Sequence, residues 1–592
     1  MYNQVSVESM ADSYKVGMAS LHSLTVFDKV VEIVNSYSNF TPRKNAYMQF
    51  SEFSDEKLVV YGTRDTFLNV DRMFRETFFN VNRNQVMKKL KRRTLNHFGS
   101  VEDHTKFLRD MGRLHDLGVV PLEVMAIDEG TRYPIGLPMF TVKATVAGYG
   151  WLVNFVETLT SGLIWPMINT ATKVEQFYLQ ARHYGSISAP KEVYESWLPI
   201  CVHEFGMRGY RSPQDQVRTS SASNLFFIGS DTQATIDFFE DSYDADSDKE
   251  TIAVSVRATE HADISRMLSL FRHINLNSTT DQLHFIDRMV EVTDVVSETE
   301  LYVLEWFVRN STGIMAYVSD TEDYYRLIDV YARKLKDKIL NRSDREDGQP
   351  AKFTFRPDSS RRTPLTVICG FRILQVATLV EVKDHAVFVK SLELADDACA
   401  CIGGLYYLND GTSISKAEAM GSLNLLWDIF GGTEEITEVG KVKLIDPRVG
   451  LIYGEAISQK HQVEIYERMI DMGFSATNIL IGKGSYASLE GSTRDLFSMA
   501  YKQTFSDATV DGVPVKLAQQ KNPMGDSTKK SARGLLCVSK SNGEYVLEED
   551  VTELREQQGE LTLLYRNGVF YKKQTLIDIK ETYQDCLSEM ES

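Results

Sequence analysis

The sequence predicts an α/β protein built around a barrel of parallel strands joined by helices. Three observations carry this reading. From about residue 200 onward, short β-branched or aromatic runs each end abruptly in polar or small residues. Between most of these runs lie stretches of helical periodicity. A chain of 592 residues is also long enough for one large barrel-type core with an attached lobe, or for several smaller domains.

Taken in chain order, the region from Asp12 to Thr145 is mixed. It holds a helix-like stretch through Val26 to Val34, basic amphipathic turns around Met87 to Arg93, and strand-like runs at Leu122 to Ile127 and Met139 to Ala144. The cluster Lys88, Lys89, Lys91, Arg92 and Arg93 has no interleaved aromatics, so it reads as a solvated helix face rather than a nucleic-acid patch. The most apolar long stretch, Trp151 to Ile168, is interrupted by Asn154, Glu157 and Pro166 and reads as a buried helix. The acidic run Glu240, Asp241, Asp244, Asp246, Asp248 and Glu250 lacks the turn glycine and the closing glutamate of a calcium loop, which leaves a solvated loop.

Six strand-like runs follow. Asn224 to Ile228 precedes Gly229, Ser230 and Asp231; Ile252 to Val256 precedes Glu260 and His261; Ile314 to Val318 precedes Ser319 and Asp320. Lys352 to Phe355 leads into Arg356, Pro357 and Asp358; Val449 to Tyr453 into Gly454 and Glu455; Asn478 to Ile481 into Gly482, Lys483 and Gly484. The intervening helical patterns are Ile264 to Ile274, Leu301 to Val308, Tyr324 to Ile339, Ala417 to Ile429 and Val463 to Met472. In a parallel barrel the loops at the carboxyl ends of the strands converge on one mouth, so residues from Asp231 to Gly484 would meet there. No internal repeat or Gly/Ser-rich linker cuts the chain.

Composition narrows the classes of function. With 43% hydrophobic and 25% charged residues the chain is neither collagenous nor disordered. A net charge of −17 argues against nucleic acid or an anionic membrane as partner, so any anionic ligand needs a local basic cluster. Six cysteines without paired spacing exclude a disulfide framework and a zinc site and point to a reducing cytoplasm. The first ten residues lack a signal-peptide pattern, and a soluble protein is expected.

Each strand-end residue has an ordinary reading on its own: Asp231 and Asp320 as helix caps, His261 as a satisfied histidine, Arg356 with Asp358 as an ion pair. Jointly, a histidine, an arginine, several carboxylates and glycine turns on successive strand ends point to an active site. His261 is the one side chain of the set able to act as nucleophile or proton shuttle near neutral pH without a large shift. Asp320 is suited to orient it. Arg356 can grip a phosphate or stack on a ring, and Asp358 and Glu455 can accept from sugar hydroxyls or from water on a magnesium ion. Gly454, Gly482 and Gly484 would let backbone approach a phosphate.

These residues resemble a known family. Asp12-Ser13-Tyr14-Lys15, Glu129-Gly130 with Pro134 and Gly136, and His203-Glu204-Phe205-Gly206-Met207-Arg208-Gly209 come first; then Gly229-Ser230-Asp231-Thr232, Glu260-His261, Ser319-Asp320, Arg356-Pro357-Asp358-Ser359 and Thr493-Arg494-Asp495. They stand in the order seen in nicotinamide phosphoribosyltransferases, and the resemblance runs from Asp12 to near Arg533. It implies the type II phosphoribosyltransferase fold, an irregular α/β barrel with an α/β lobe formed by both chain ends: residues 1–150 and 491–592 in the lobe, 151–490 in the barrel. It implies conversion of nicotinamide and phosphoribosyl pyrophosphate to nicotinamide mononucleotide and pyrophosphate in NAD salvage. Magnesium, ATP hydrolysed through a phosphohistidine, and a cytoplasmic homodimer with shared active sites belong to the same implication.

Carried over by motif, the resemblance places the ring between Phe205 and Tyr14, with Tyr14 and Asp12 from the other subunit. Arg208 and Arg356 would contact phosphates and ring, and Ser255 would lie near the carboxamide. Asp358, Gly454 and Glu455 would hold the ribose, and His261 with Asp320 would accept the phosphoryl group. Arg494, Lys502, Lys521, Lys529, Lys530 and Arg533 would form the basic phosphate site, and the direct metal ligands stay unassigned. Asp231 can accept from the carboxamide NH₂ of nicotinamide and would repel nicotinate.

The chain departs from the family pattern at Ala316, at Glu455, in the turn Gly482-Lys483-Gly484-Ser485, and by an insertion at about 361–412. Two rival readings are a nicotinate phosphoribosyltransferase and a non-catalytic binding or signalling protein on the same scaffold.

Overall fold

Six short strands form the barrel sheet, β1 (Val202–Glu204), β2 (Arg257–Ala258), β3 (Ile314–Val318), β4 (Lys352–Arg356), β5 (Val449–Tyr453) and β6 (Leu480–Lys483), of which β3, β4 and β5 are rich in β-branched and aromatic residues. The structure is a computed structural model that describes residues 5–277, 299–376, 385–455, 457–525 and 530–591. The six strands make one sheet in the order β1-β6-β5-β4-β3-β2, and every pairing is parallel. The gap between β1 and β2 is spanned by the segment at Gly229 and Ser230, which bridges Glu204 on one side and Val254, just before β2, on the other. The result is a strongly curled, irregular parallel barrel sheet, as the alternation of strands and helices predicts.

Alternation along β4 shows how the barrel holds together. Phe353 and Phe355 are fully buried in the main hydrophobic core while Arg356 reaches the carboxyl end of the strand. Helices Thr299–Arg309, Lys416–Phe430 and Gln459–Asp471 pack outside the strands, and all three contribute to that core. Helix Lys416–Phe430 kinks at Gly421, where φ is +74°. A Cβ there would sit 2.1 Å from the Gly370 nitrogen, so only glycine lets this helix cross the end of helix Pro364–Cys369.

Strands from both chain ends share an eight-stranded antiparallel sheet. Its long strand Lys29–Thr41 pairs with Phe140–Ala144 on one edge and Ala500–Val510 on the other. The final helix, Leu576–Glu591, leaves this lobe and buries Leu576, Ile579, Tyr583 and Leu587 in the barrel core. Strands Arg372–Val376, Ala398–Ile402, Leu405–Leu408 and Ser413–Ile414 form a separate small sheet with its own apolar clusters around Cys399 and Val389.

Several local expectations are corrected. Val26 to Val34 is no helix: Ser23–Val26 and Lys29–Thr41 form a hairpin turning at Phe27 and Asp28, both at positive φ. Its β-branched residues favour the pleated strand over the helix. Asn224 to Ile228 is not a strand, because Ala222–Leu225 coils into a 3₁₀ turn whose Asn224 amide donates to the Ile252 carbonyl. Ile252 to Val256 keeps only the Val254 bridge. The last strand starts at Leu480, so Gly482 and Lys483 lie inside it rather than after it.

Of the basic helix Arg83–Phe98, Arg93 is tied 2.8 Å from Glu8 while Lys88 and Lys91 stay at the surface. In the acidic run, Glu240 and Asp241 lie on helix Ala234–Tyr243 and Asp244 pairs with Arg64 at 2.7 Å. Trp151 to Ile168 is helical, split between Gly150–Phe155 and Glu157–Ser188. Among the described residues no helix is long and apolar enough to cross a membrane. None of the six cysteines is in a disulfide.

Candidate active site

The carboxyl ends of the barrel strands do bring the predicted residues together. After β1 the chain turns at Phe205, whose backbone N–H donates to the Lys483 carbonyl at 2.9 Å on neighbouring β6. Its ring lies on bare backbone. A Cβ at Gly482 would meet the Phe205 ring at 2.5 Å, and one at Gly454 would meet it at 3.5 Å. Gly482 therefore makes room for the aromatic ring, while a Cβ at Gly454 would be in ordinary contact with it. Only Gly484 faces open space, with nothing within 4 Å of its would-be Cβ.

The His203 ring, its centroid 4.7 Å from that of Phe205, links this ring to Asp231. The Asp231 Oδ1 accepts from His203 Nε2 at 3.1 Å and from the Ser255 hydroxyl. Burial works to raise the Asp231 pKa, but the hydrogen bonds from His203 and Ser255 and the charge of Arg356 outweigh it, and the carboxyl is held below its ordinary value. Among the described residues no side chain donates to Oδ2. Arg356 donates from Nη2 to the Thr259 carbonyl at 2.7 Å, and its Nε is buried without a protein partner among them. It makes no ion pair with Asp358, so that ordinary reading falls away.

His261 opens the helix after β2 and is partly exposed. Its Nε2 stands 3.6 Å from Asp320 Oδ1, a charge contact longer than a hydrogen bond. The nearer partner is Thr321, whose Oγ1 lies 3.1 Å from Nδ1. Asp320 spends its other oxygen on the backbone N–H groups of Asp358, at 2.7 Å, and Ser359. It thereby anchors the loop after β4. Burial raises the Asp320 pKa against those donors. It caps no helix; Asp323 caps the turn at Tyr324 instead. Glu455 accepts from the Ser360 N–H at 2.8 Å, so the Asp358 loop is held from both sides.

Behind the Phe205 turn lies a polar network that the sequence reading did not foresee. Glu204, paired in register with Lys483 across β1 and β6, forms a buried ion pair with it, the side chains 0% and 1% exposed. The Glu204 carboxylate also accepts from the Gly206 N–H at 2.7 Å, the Ser223 hydroxyl at 2.8 Å and Tyr210 at 3.2 Å. Lys483 donates to Ser488 at 2.8 Å. A lysine in a glycine turn and a glutamate in register with it on the adjacent strand were the available signals, visible only once strand pairing is known.

The remaining predicted residues lie outside this ring of contacts. Asp12 accepts from the Thr158 hydroxyl at 2.7 Å, and Tyr14 starts a short helix on the lobe, 59% exposed. Arg208 is exposed in the turn Met207–Gly209 after Phe205. Of the basic residues, Lys502 lies in the electrostatic field of Glu157, Arg43, Lys521 and Lys15, and burial lowers its pKa. Arg494 and Arg533 pair locally with Asp495 at 3.5 Å and Asp550 at 3.2 Å. Lys530 is exposed, and Lys529 lies outside the described residues. Among those residues no cluster of three or more His, Cys, Asp or Glu side chains is arranged to hold a metal.

No protein-family model matches the chain. It is 31% identical over 547 residues to a nicotinamide phosphoribosyltransferase of Acinetobacter baylyi, covering 92% of each chain. It is 23% identical over 474 residues to a protein of that name from Xanthomonas campestris pv. campestris, covering 78% of this chain and 79% of the relative. Among solved structures, human nicotinic acid phosphoribosyltransferase aligns over 98% of this chain and 93% of its own at 13% identity, with a TM-score of 0.45.

Proposed function

The chain belongs to the nicotinamide phosphoribosyltransferase family, and on that premise we propose that it joins nicotinamide to phosphoribosyl pyrophosphate, releasing nicotinamide mononucleotide and pyrophosphate. The observation that carries the choice of base is Asp231, ionised and linked to the Phe205 ring through His203, with Oδ1 engaged by His203 and Ser255. Oδ2 is then the acceptor for the carboxamide NH₂. A nicotinate carboxylate there would bring two like charges together, a few kcal/mol unfavourable at hydrogen-bond distance in a partly screened site.

In the reaction the bond from the ribose anomeric carbon to the pyrophosphate oxygen breaks, and the nicotinamide ring nitrogen donates its lone pair to that carbon. The ring becomes a pyridinium and no proton is transferred. The transition state carries oxocarbenium charge. Phe205 orients the ring by stacking, and Tyr14 with Asp12 of a second copy covers its other face. Arg356 and Arg208 bind phosphate oxygens, while Asp358 and Glu455, on loops tied to each other through Ser360, hold the sugar hydroxyls. Lys502 and Lys521, with Arg494, Lys529, Lys530 and Arg533, draw the polyphosphates to an otherwise acidic chain. The six cysteines, none of them disulfide-bonded, suit a reducing cytoplasm.

The donor set suits magnesium bound jointly with substrate. Asp358 and Glu455 are hard oxygen acceptors too few for an all-protein cage, and magnesium is commonly held by one or two carboxylates plus phosphates and water. Bound there, the ion would neutralise charge on the departing pyrophosphate. Phosphorylation of His261 by the γ-phosphoryl group of ATP, ADP leaving, draws support from Thr321 at Nδ1 and Asp320 near Nε2. Homodimer formation draws support from an exposed apolar fringe on the amino-terminal region, where Phe27 is 95%, Leu21 62% and Tyr14 59% exposed.

The test is to incubate the protein with phosphoribosyl pyrophosphate, magnesium and either base and to measure mononucleotide. Faster formation from nicotinamide is expected; equal or faster use of nicotinate overturns the base assignment. Labelled ATP should phosphorylate the wild-type protein and not His261→Ala.

A further inference from the structure

We propose that His203 is the residue that sets base preference, by holding Asp231 in the orientation that reads the carboxamide. The inference rests on the reaction proposed above and deepens it. Three neighbouring strand segments line up here: Ser230 bridges Glu204, and Gly229 bridges Val254. Hydrogen bonds from His203 and Ser255 to the same oxygen set Asp231 between the two. An aspartate at a strand end has two free torsions, and two donors on one oxygen remove that freedom.

His203 is the more constrained of the two donors. It is 7% exposed, whereas Ser255 lies at the surface. Its ring centroid is 4.7 Å from that of Phe205, with the planes at 37°. On its other side Gly229 packs so closely that a Cβ would come within 2.8 Å of Nδ1. Because the partner of Nε2 is an ionised carboxylate, which only accepts, Nε2 must carry a proton. The imidazole is thus wedged between the backbone of one strand and the ring that stacks on the base, with its donor aimed at the carboxylate that reads the base.

The experiment compares wild type, His203→Leu and His203→Gln in kcat/KM for nicotinamide and for nicotinate, with thermal unfolding run alongside. Leucine fills the space without a donor; glutamine can present an N–H where Nε2 stood. Loss of a hydrogen bond to a charged group corresponds to roughly a tenfold or larger loss. His203→Leu should therefore lower kcat/KM for nicotinamide about tenfold, mainly through KM, with a much smaller effect on nicotinate. The preference ratio should fall by that factor, and His203→Gln should restore most of it. A merely structural role would lower both bases together and leave the ratio alone.

A wild type that prefers nicotinamide, with an unchanged ratio in His203→Leu, overturns the role of His203 and leaves the reaction standing. A wild type that uses neither base, or both equally, overturns the reaction as assigned and this role with it. Should the leucine variant not fold, a glutamine variant with a ratio collapsed as far as that of Ser255→Ala combined with His203→Gln would overturn the donor assignment.

Discussion

Breaking the buried Glu204–Lys483 pair should unfold the barrel more easily than any surface change. Lys483→Met keeps the length of the stem and removes the ammonium, leaving a carboxylate whose side chain is 0% exposed. Losing one partner of a buried ion pair costs about 3–5 kcal/mol. Three neutral donors, from Gly206, Ser223 and Tyr210, remain on Glu204 and hold the cost near the lower end, about 3 kcal/mol. Glu204→Gln leaves the ammonium with Ser488 and an amide oxygen, and should cost a similar amount.

The double variant buries no net charge. It should be less destabilised than the sum of the singles by about 2 kcal/mol, because neither charge is then stranded. Urea unfolding followed by intrinsic fluorescence gives the three shifts; Trp197 reports on this side of the barrel through its bond to the Ile479 carbonyl. Additivity within about 0.5 kcal/mol, the margin for independent sites, or a Lys483→Met cost under about 1 kcal/mol, would refute the claim that the pair acts as a unit.

Gly482→Ala puts a Cβ 2.5 Å from the rigid Phe205 ring, so KM for nicotinamide should rise about tenfold or more while KM for phosphoribosyl pyrophosphate moves little; steady-state kinetics in each substrate will show it. Thr321→Val removes the Nδ1 partner of His261 and should reduce ATP-stimulated turnover by about three- to tenfold, sparing the rate without ATP. Burial raises the Glu556 pKa from an ordinary 4.5 to about 7. The folded form then holds a proton that the unfolded chain releases, so this group's contribution to stability is full below about 4.5 and is lost as pH rises through about 7. Thermal unfolding midpoints of Glu556→Gln should be flatter than wild type across that window, and an unchanged slope would contradict the reading.

Residue type and order were enough for the α/β class, for the barrel strands Ile314–Val318, Lys352–Arg356 and Val449–Tyr453, and for most of the residues that ring the mouth. Those strands are short runs rich in β-branched and aromatic residues bounded by polar or small ones, a pattern that is local. The strand Val202–Glu204 escaped notice because three residues carry no readable period, and Val26 to Val34 was misread because a mixed apolar run is ambiguous between helix and strand until its partner strand is known.

What the chain by itself determined is chemistry: an imidazole, arginines and carboxylates at strand ends, in an acidic molecule that needs local positive charge for phosphates. Only the tertiary structure decided who touches whom. It set the Phe205 ring directly on the bare backbone of Gly482, and made Asp320 the anchor of the Asp358 loop with Thr321 as the nearer partner of His261. It also made an odd lysine in a glycine turn the buried partner of Glu204. These assignments depend on strand register across the barrel, and register is set by packing between residues hundreds of positions apart, which no local pattern encodes.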